Sequence, residues 1–152
     1  PMKLLDLHRW LGVTAIAFLL VHLGLLIIDP AVTFTPLQIL VPGLAPWQTT
    51  AVALGTLAFW LLLPVSFLGR LRAKMGTTGN RWFKRSHLIA YAAWPLATAH
   101  YVLAGTDALS EWSLGLIFAG TALIVMGLLA RGFVPAPGPT RTVVDSTPLT
   151  SA

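Results

Sequence analysis

The chain has 152 residues, enough for one domain, and a net charge of +5. Hydrophobic residues make up 56% and charged residues 10%, against roughly 25% charged in soluble domains, so the composition excludes an ordinary soluble surface and fits lipid as the solvent. The positive charge is not the footprint of a nucleic-acid binder. Six of the ten basic residues, Arg70, Arg72, Lys74, Arg81, Lys84 and Arg85, crowd into one segment between two apolar runs, which is the pattern of a cytoplasmic loop.

The first expected span runs from about Leu7 to Ile28. Between Trp10 and Ile28 only Thr14 and His22 are polar, and Asp29-Pro30 ends the run. It is long enough to cross the hydrocarbon and has no small-residue cleavage site after it, so it reads as a span and not as a signal peptide. Pro1 precedes Met2, so residues upstream of this start are an open possibility. Residues 30 to 50 contain no Lys or Arg and are broken by Pro30, Pro36, Pro42 and Pro46. That stretch is too short and interrupted to span, yet apolar enough to lie at the interface or over a bundle mouth.

A second span follows from about Ala51 to Leu68, with Pro64 inside it. The basic segment comes next, with Gly76, Gly79 and Asn80 as turn residues. The third span is expected from about Trp82 to Ala104 and carries His87, Pro95 and His100. The fourth runs from about Trp112 to Ala130, where Gly115, Gly120 and Gly127 offer close helix contacts. The expected fold class is all-α: an integral membrane bundle of four transmembrane helices over residues 1–131. The Pro-, Thr- and Ser-rich stretch 132–152 reads as a disordered cytoplasmic tail. Because the loops at 30–50 and 105–111 have no basic residue, the positive-inside rule puts both termini and the 70–85 loop in the cytoplasm of a multi-pass cell-membrane protein. Spans one and three then run in the same direction.

All four histidines, His8, His22, His87 and His100, lie on spans one and three. Polar, ionisable side chains are costly in a bilayer and usually functional. His8 to His22 is 14 residues and His87 to His100 is 13, rises of about 21 and 19.5 Å, so His8 matches His87 in depth and His22 matches His100. The ends agree: Asp29 and Asp107 each follow the outer histidine by seven residues. Each level offers two imidazoles, no cysteine and no intramembrane carboxylate. Structural zinc takes about four protein ligands and catalytic zinc about three, whereas haem iron needs only two axial ligands beyond the porphyrin, so two bis-histidine haems fit the donor count better. The chain has no cysteine, so such haems are non-covalent b haems and iron–sulfur clusters are excluded. The bland alternative for any one histidine is an interhelical hydrogen bond. One tension remains: on a straight helix 13 residues leave the second side chain about 140° from the first, which a distortion at Pro95 would relieve.

Weaker candidates surround these. Arg9, Arg81, Lys84 and Arg85 sit where propionates of an inner haem would meet them, or simply anchor the cytoplasmic side. Tyr91 and Tyr101 line haem pockets or pack between helices. Gly12 and Gly24 admit a haem face or pack helices. Trp10, Trp47, Trp82, Trp94 and Trp112 suit an aromatic belt.

With LHRWLG at Leu7 to Gly12, His22, and SHLIAYAAWPLATAH ending at His100 in view, the chain resembles the ferric reductase-like transmembrane domain family, which includes ferric reductases, the membrane part of NADPH oxidases and bacterial haem b membrane subunits. LIIDP and HLIAYAAWPLATAHYVLAGTD look like small actinobacterial members without a flavin domain. The resemblance covers roughly Leu7 to Leu129 and implies that His8 and His87 hold an inner haem and His22 and His100 an outer one. It departs from larger members in lacking two preceding spans, and no G-x-G-x-x-G signature or soluble segment suited to flavin or NADPH is present. The expected function is transmembrane electron transfer through two stacked b haems, as the membrane component of an oxidoreductase, with no catalytic residue of its own. The donor would be a flavoprotein or a membrane quinol, and the acceptor ferric iron, oxygen or a partner protein. The alternatives are a non-catalytic cytochrome b subunit of a larger complex and, behind it, a haem or metal transport or sensing protein.

Overall fold

The computed structural model describes residues 2–71 and 74–133, and every regular element in them is a helix. They are α1 (Met2–Ile28), α2 (Pro36–Leu40), α3 (Thr49–Leu71), α4 (Gly76–Ala104) and α5 (Glu111–Phe133). The chain divides into two compact units, Pro1–Ile117 and Phe118–Ala152, with the division inside α5. The expected tail lies outside the described residues, except that its first two positions, Gly132 and Phe133, close α5.

Among the described residues three segments are long and apolar enough to cross a membrane: Lys3–Ile28, Thr49–Leu71 and Glu111–Ala130. This is a multi-pass membrane protein. The large apolar side chains of α1 and α5 face outward, as lipid-facing side chains do, Phe18 and Phe118 being examples. α4 has 29 residues, ample length for a span, but His87, Tyr91, Pro95, Thr98 and His100 dilute its apolar character. Each helix extends beyond the expected span because the hydrogen-bonded turns continue into the polar interface. The largest difference is at the basic segment. Gly79 and Asn80, expected in a turn, belong to the first turns of α4, and only Gly76, at φ +61°, adopts the left-handed backbone that a turn glycine permits.

α3 and α4 pack against each other along their lengths. Ala51, Ala58 and Val65 are buried on α3, and Ala93 on α4; small side chains of this kind let membrane helices approach closely. α1 makes few close backbone approaches to α3 and α4, and no residue of its apolar stretch is fully buried.

The 30–50 stretch forms a folded cap. α2 begins with Pro36 after Thr35, whose side chain accepts the Gln38 amide while the Gln38 side chain accepts the Thr35 amide, a complete capping box. Phe34, Ile39 and Ala45 make a small buried core with Leu23, Leu26, Val32 and Val52 around it. Two side chains of α3 hold the cap. Thr56 Oγ1 donates to the Ile39 carbonyl at 2.7 Å and also reaches the Val52 carbonyl at 3.0 Å, and Trp60 Nε1 donates to the Leu40 carbonyl at 2.8 Å. The carbonyls at the end of so short a helix need such partners in a medium with little water.

Candidate functional site

The histidines meet in pairs. The ring centroids of His8 on α1 and His87 on α4 are 5.7 Å apart, and those of His22 on α1 and His100 on α4 are 6.2 Å apart. Equal depth on two helices running in the same direction brings the rings opposite one another. Two imidazoles bound to one metal from opposite sides, each through a metal–nitrogen bond of about 2.0 Å, hold their centroids roughly 6 Å apart. Both pairs have that separation. Among the described residues no group of three or more His, Cys, Asp or Glu converges, so each level offers two protein donors. That suits an ion whose remaining positions are filled by a macrocycle and leaves a zinc ion short of ligands.

The outer pair borders a cavity of about 130 Å³. Its lining is apolar apart from the two histidines and Thr56, with Leu23 and Leu26 of α1, Ile39 of the cap and Phe59 of α3 among the contributors. There is room beside α1: nothing lies within 4 Å of where a Cβ on Gly12 or Gly24 would be. Of the two readings of these glycines, tight helix packing is therefore not what they do in this structure. Gly115 on α5 likewise meets nothing within 4 Å, so the close helix contact expected there is not made.

His100 is held by α3. Its Nδ1 lies 2.8 Å from the carbonyl oxygen of Ala51. A carbonyl oxygen only accepts, so Nδ1 carries the proton of the neutral ring and Nε2 keeps its lone pair free to bind a metal. On the same helix Gly55 leaves the space that the ring occupies: a Cβ there would sit 2.8–2.9 Å from His100 Nδ1, Cε1 and Cγ. The inner pair is backed differently. Phe83, one turn before His87, stacks on its ring with centroids 5.2 Å apart, and lies in van der Waals reach of Gly69 of α3. α4 stays helical through Pro95. His100 lodges against α3 while remaining opposite His22, so the 13-residue interval is accommodated by an outer pair that sits beside α3.

The weaker candidates separate. Arg9 is exposed and its Nη1 bonds Asp6 Oδ1 at 3.1 Å, one turn away on α1. Arg85 is exposed near the start of α4, and Tyr91 is half-buried. Tyr101 serves packing: its hydroxyl hydrogen-bonds Ser113 Oγ at 3.0 Å, and Ser113, almost wholly buried, also bonds the Ala108 carbonyl at 3.0 Å. Ala51, Gly55 and Phe83 were not singled out in the sequence. The one signal, for Gly55 alone, is an interval: Gly55 and Gly69 are 14 residues apart, the same as His8 and His22.

Residues 2–98 match the family described as ferric reductase like transmembrane component. The chain belongs to that family. The match contains His8, His22 and His87 and stops two residues short of His100. Membership makes this a membrane redox component, and the transmembrane domains of the family are generally haem-binding. No curated protein and no solved structure matches the chain.

Proposed function

We propose that this chain carries electrons across a cell membrane through two b haems, one held by His8 and His87 and the other by His22 and His100, with α4 as the fourth span. The observation that supports this reading most directly is the presence of two opposed imidazole pairs, 5.7 and 6.2 Å between centroids, about 20 Å apart along the helices. Bound haem would supply a reversible one-electron couple.

The chain's own residues set the conditions. The four imidazoles would hold the two haems. The Ala51 carbonyl fixes the proton of His100 on Nδ1, so Nε2 would be the donor to the metal. Leu23, Leu26 and Phe59 give the outer level an apolar lining, to which the cap over residues 30–50 adds Ile39. Low polarity around a metal site controls its potential and its access to solvent. Arg9 and Arg85 lie near the inner pair in sequence and are the cations available to its propionates. Tyr91, half-buried one turn beyond His87, would stand beside an inner haem.

By the positive-inside rule, Arg70, Arg72, Lys74, Arg81, Lys84 and Arg85 favour a cytoplasmic side for the His8–His87 level and both termini, and the direction of electron flow, from the inner level to the outer, is the one that the family implies. A flavoprotein or quinol on that side is the donor, and ferric iron, oxygen or a partner protein outside is the acceptor. The test is charge movement across a sealed membrane. Proteoliposomes with ferricyanide trapped inside and a reductant outside should reduce the trapped acceptor only when the protein is present, and His22→Ala should abolish the reaction. Equal reduction by haem-loaded wild type and His22→Ala would refute transmembrane transfer through this site.

A further inference from the structure

We propose that Gly55 is a positioning residue for the outer ligand: with the Ala51 carbonyl one turn earlier on α3, it seats the His100 ring so that Nδ1–H points into α3 and Nε2 points toward His22. This inference rests on the reading of His100 as an axial ligand and assigns a role to α3, a helix that carries no ligand. Three observations meet at this point. The Ala51 carbonyl lies 2.8 Å from His100 Nδ1. Ala51 is buried, so the bond is sheltered from competing water. The absence of a side chain at Gly55 is what lets the ring reach that carbonyl, since a Cβ there would stand 2.8–2.9 Å from three atoms of the ring, where ordinary contact begins at 3.4 Å. The atoms in the way belong to the near edge of a tethered ring, not to the far end of a flexible chain. An alanine at 55 therefore pushes the ring away from α3 and lengthens or breaks the Nδ1–H···O bond.

That bond matters chemically because a donor–acceptor partner on the distal nitrogen raises the basicity of the metal-binding nitrogen. Greater basicity favours the oxidised metal, so loss of the bond raises the potential. The helix supplies its own control. Gly69 is the other α3 glycine facing α4, and a Cβ there would meet Phe83 at 3.4 Å, an ordinary contact.

The experiment compares wild type, Gly55→Ala and Gly69→Ala in detergent, by reduced-minus-oxidised spectra and potentiometric titration. Gly55→Ala should shift the outer haem's low-spin bands and weaken the oxidised form about tenfold relative to the reduced, a rise of ~59 mV in its midpoint for one electron. The inner haem of Gly55→Ala and the outer haem of Gly69→Ala should stay within error of wild type. An unchanged outer haem in Gly55→Ala, or the same shift in Gly69→Ala, would overturn the proposal while leaving the di-haem reading intact. Should Gly55→Ala fail to accumulate, wild type alone decides: nitrogen-15 NMR of histidine-labelled protein, in the diamagnetic reduced state and again without haem, should show a proton on His100 Nδ1 in both. A proton on Nε2 in the haem-free protein would overturn it. Absence of haem from wild type would instead strike at the di-haem reading, and the haem-free spectrum would still test the seat.

Discussion

Removal of histidines one and two at a time tests the pairing with a pattern that no general loss of stability reproduces. The rings in contact are His8 with His87 and His22 with His100. The two levels are separated by a rise of about 20 Å, so no imidazole can serve both. Alanine at either member of a pair would leave a haem with one protein ligand and an apolar hole in place of a ring. The account therefore predicts that His22→Ala and His100→Ala each lower haem content from two per chain to one, and that the double variant His22→Ala/His100→Ala stays at one. The cross-level double variant His22→Ala/His87→Ala should fall to none. Effects within a level are strongly non-additive and effects across levels add. Haem per chain is read by pyridine haemochrome against protein determined by amino-acid analysis, with far-ultraviolet circular dichroism to show that the helices remain. If His22→Ala/His87→Ala kept one haem, or if His8→Ala and His22→Ala erased the same spectral component, the pairing would be wrong.

Further predictions follow from single contacts. Thr56→Val keeps the shape of a buried side chain and removes the donor to the Ile39 carbonyl, so it should destabilise the fold by about 1–3 kcal/mol, seen as a lower denaturation midpoint; an unchanged midpoint would mean that the Thr56 bond does not hold the cap. Gln48 precedes α3 at φ +42°, where a β-branched side chain is strained, and Gln48→Val should cost about 1–2 kcal/mol by the same measurement, whereas Gln48→Gly should not. The chain has no cysteine, so Lys74→Cys and Asp107→Cys report orientation cleanly. An impermeant maleimide should label Asp107→Cys on intact cells and Lys74→Cys only after permeabilisation, and the reverse pattern would invert the orientation.

The four long helices and the histidine depth were legible because each follows from one-dimensional information, whereas the short α2 inside the proline-broken stretch was not. The apolar run before Asp29-Pro30 is α1, and counting 14 and 13 residues between histidines is enough to align them along parallel axes. Facing is a three-dimensional property. The 13-residue interval predicts that His100 points away from the side His87 faces, and only the packing of α4 on α3 shows that His100 lodges beside Gly55 and still meets His22. The Ala51 carbonyl is invisible in a sequence because every residue has one. The hydroxyl of Tyr101 shows how neighbours in sequence part in space. The sequence leaves a pocket role and packing open, one residue on a helix turns the side chain by about 100°, and this one bonds Ser113 of α5. Gly79 and Asn80 have turn composition, but a helix entering the interface satisfies its own backbone by continuing, at a cost of about 1 kcal/mol for the glycine.

The central claim is that the two imidazole pairs hold haem, and its most direct test is the haem content of the purified wild-type chain. Protein from haem-replete cells, extracted in mild detergent, should give two b haems per chain by pyridine haemochrome and a low-spin reduced-minus-oxidised spectrum. Haem-free protein that also takes up no added haemin would contradict the account.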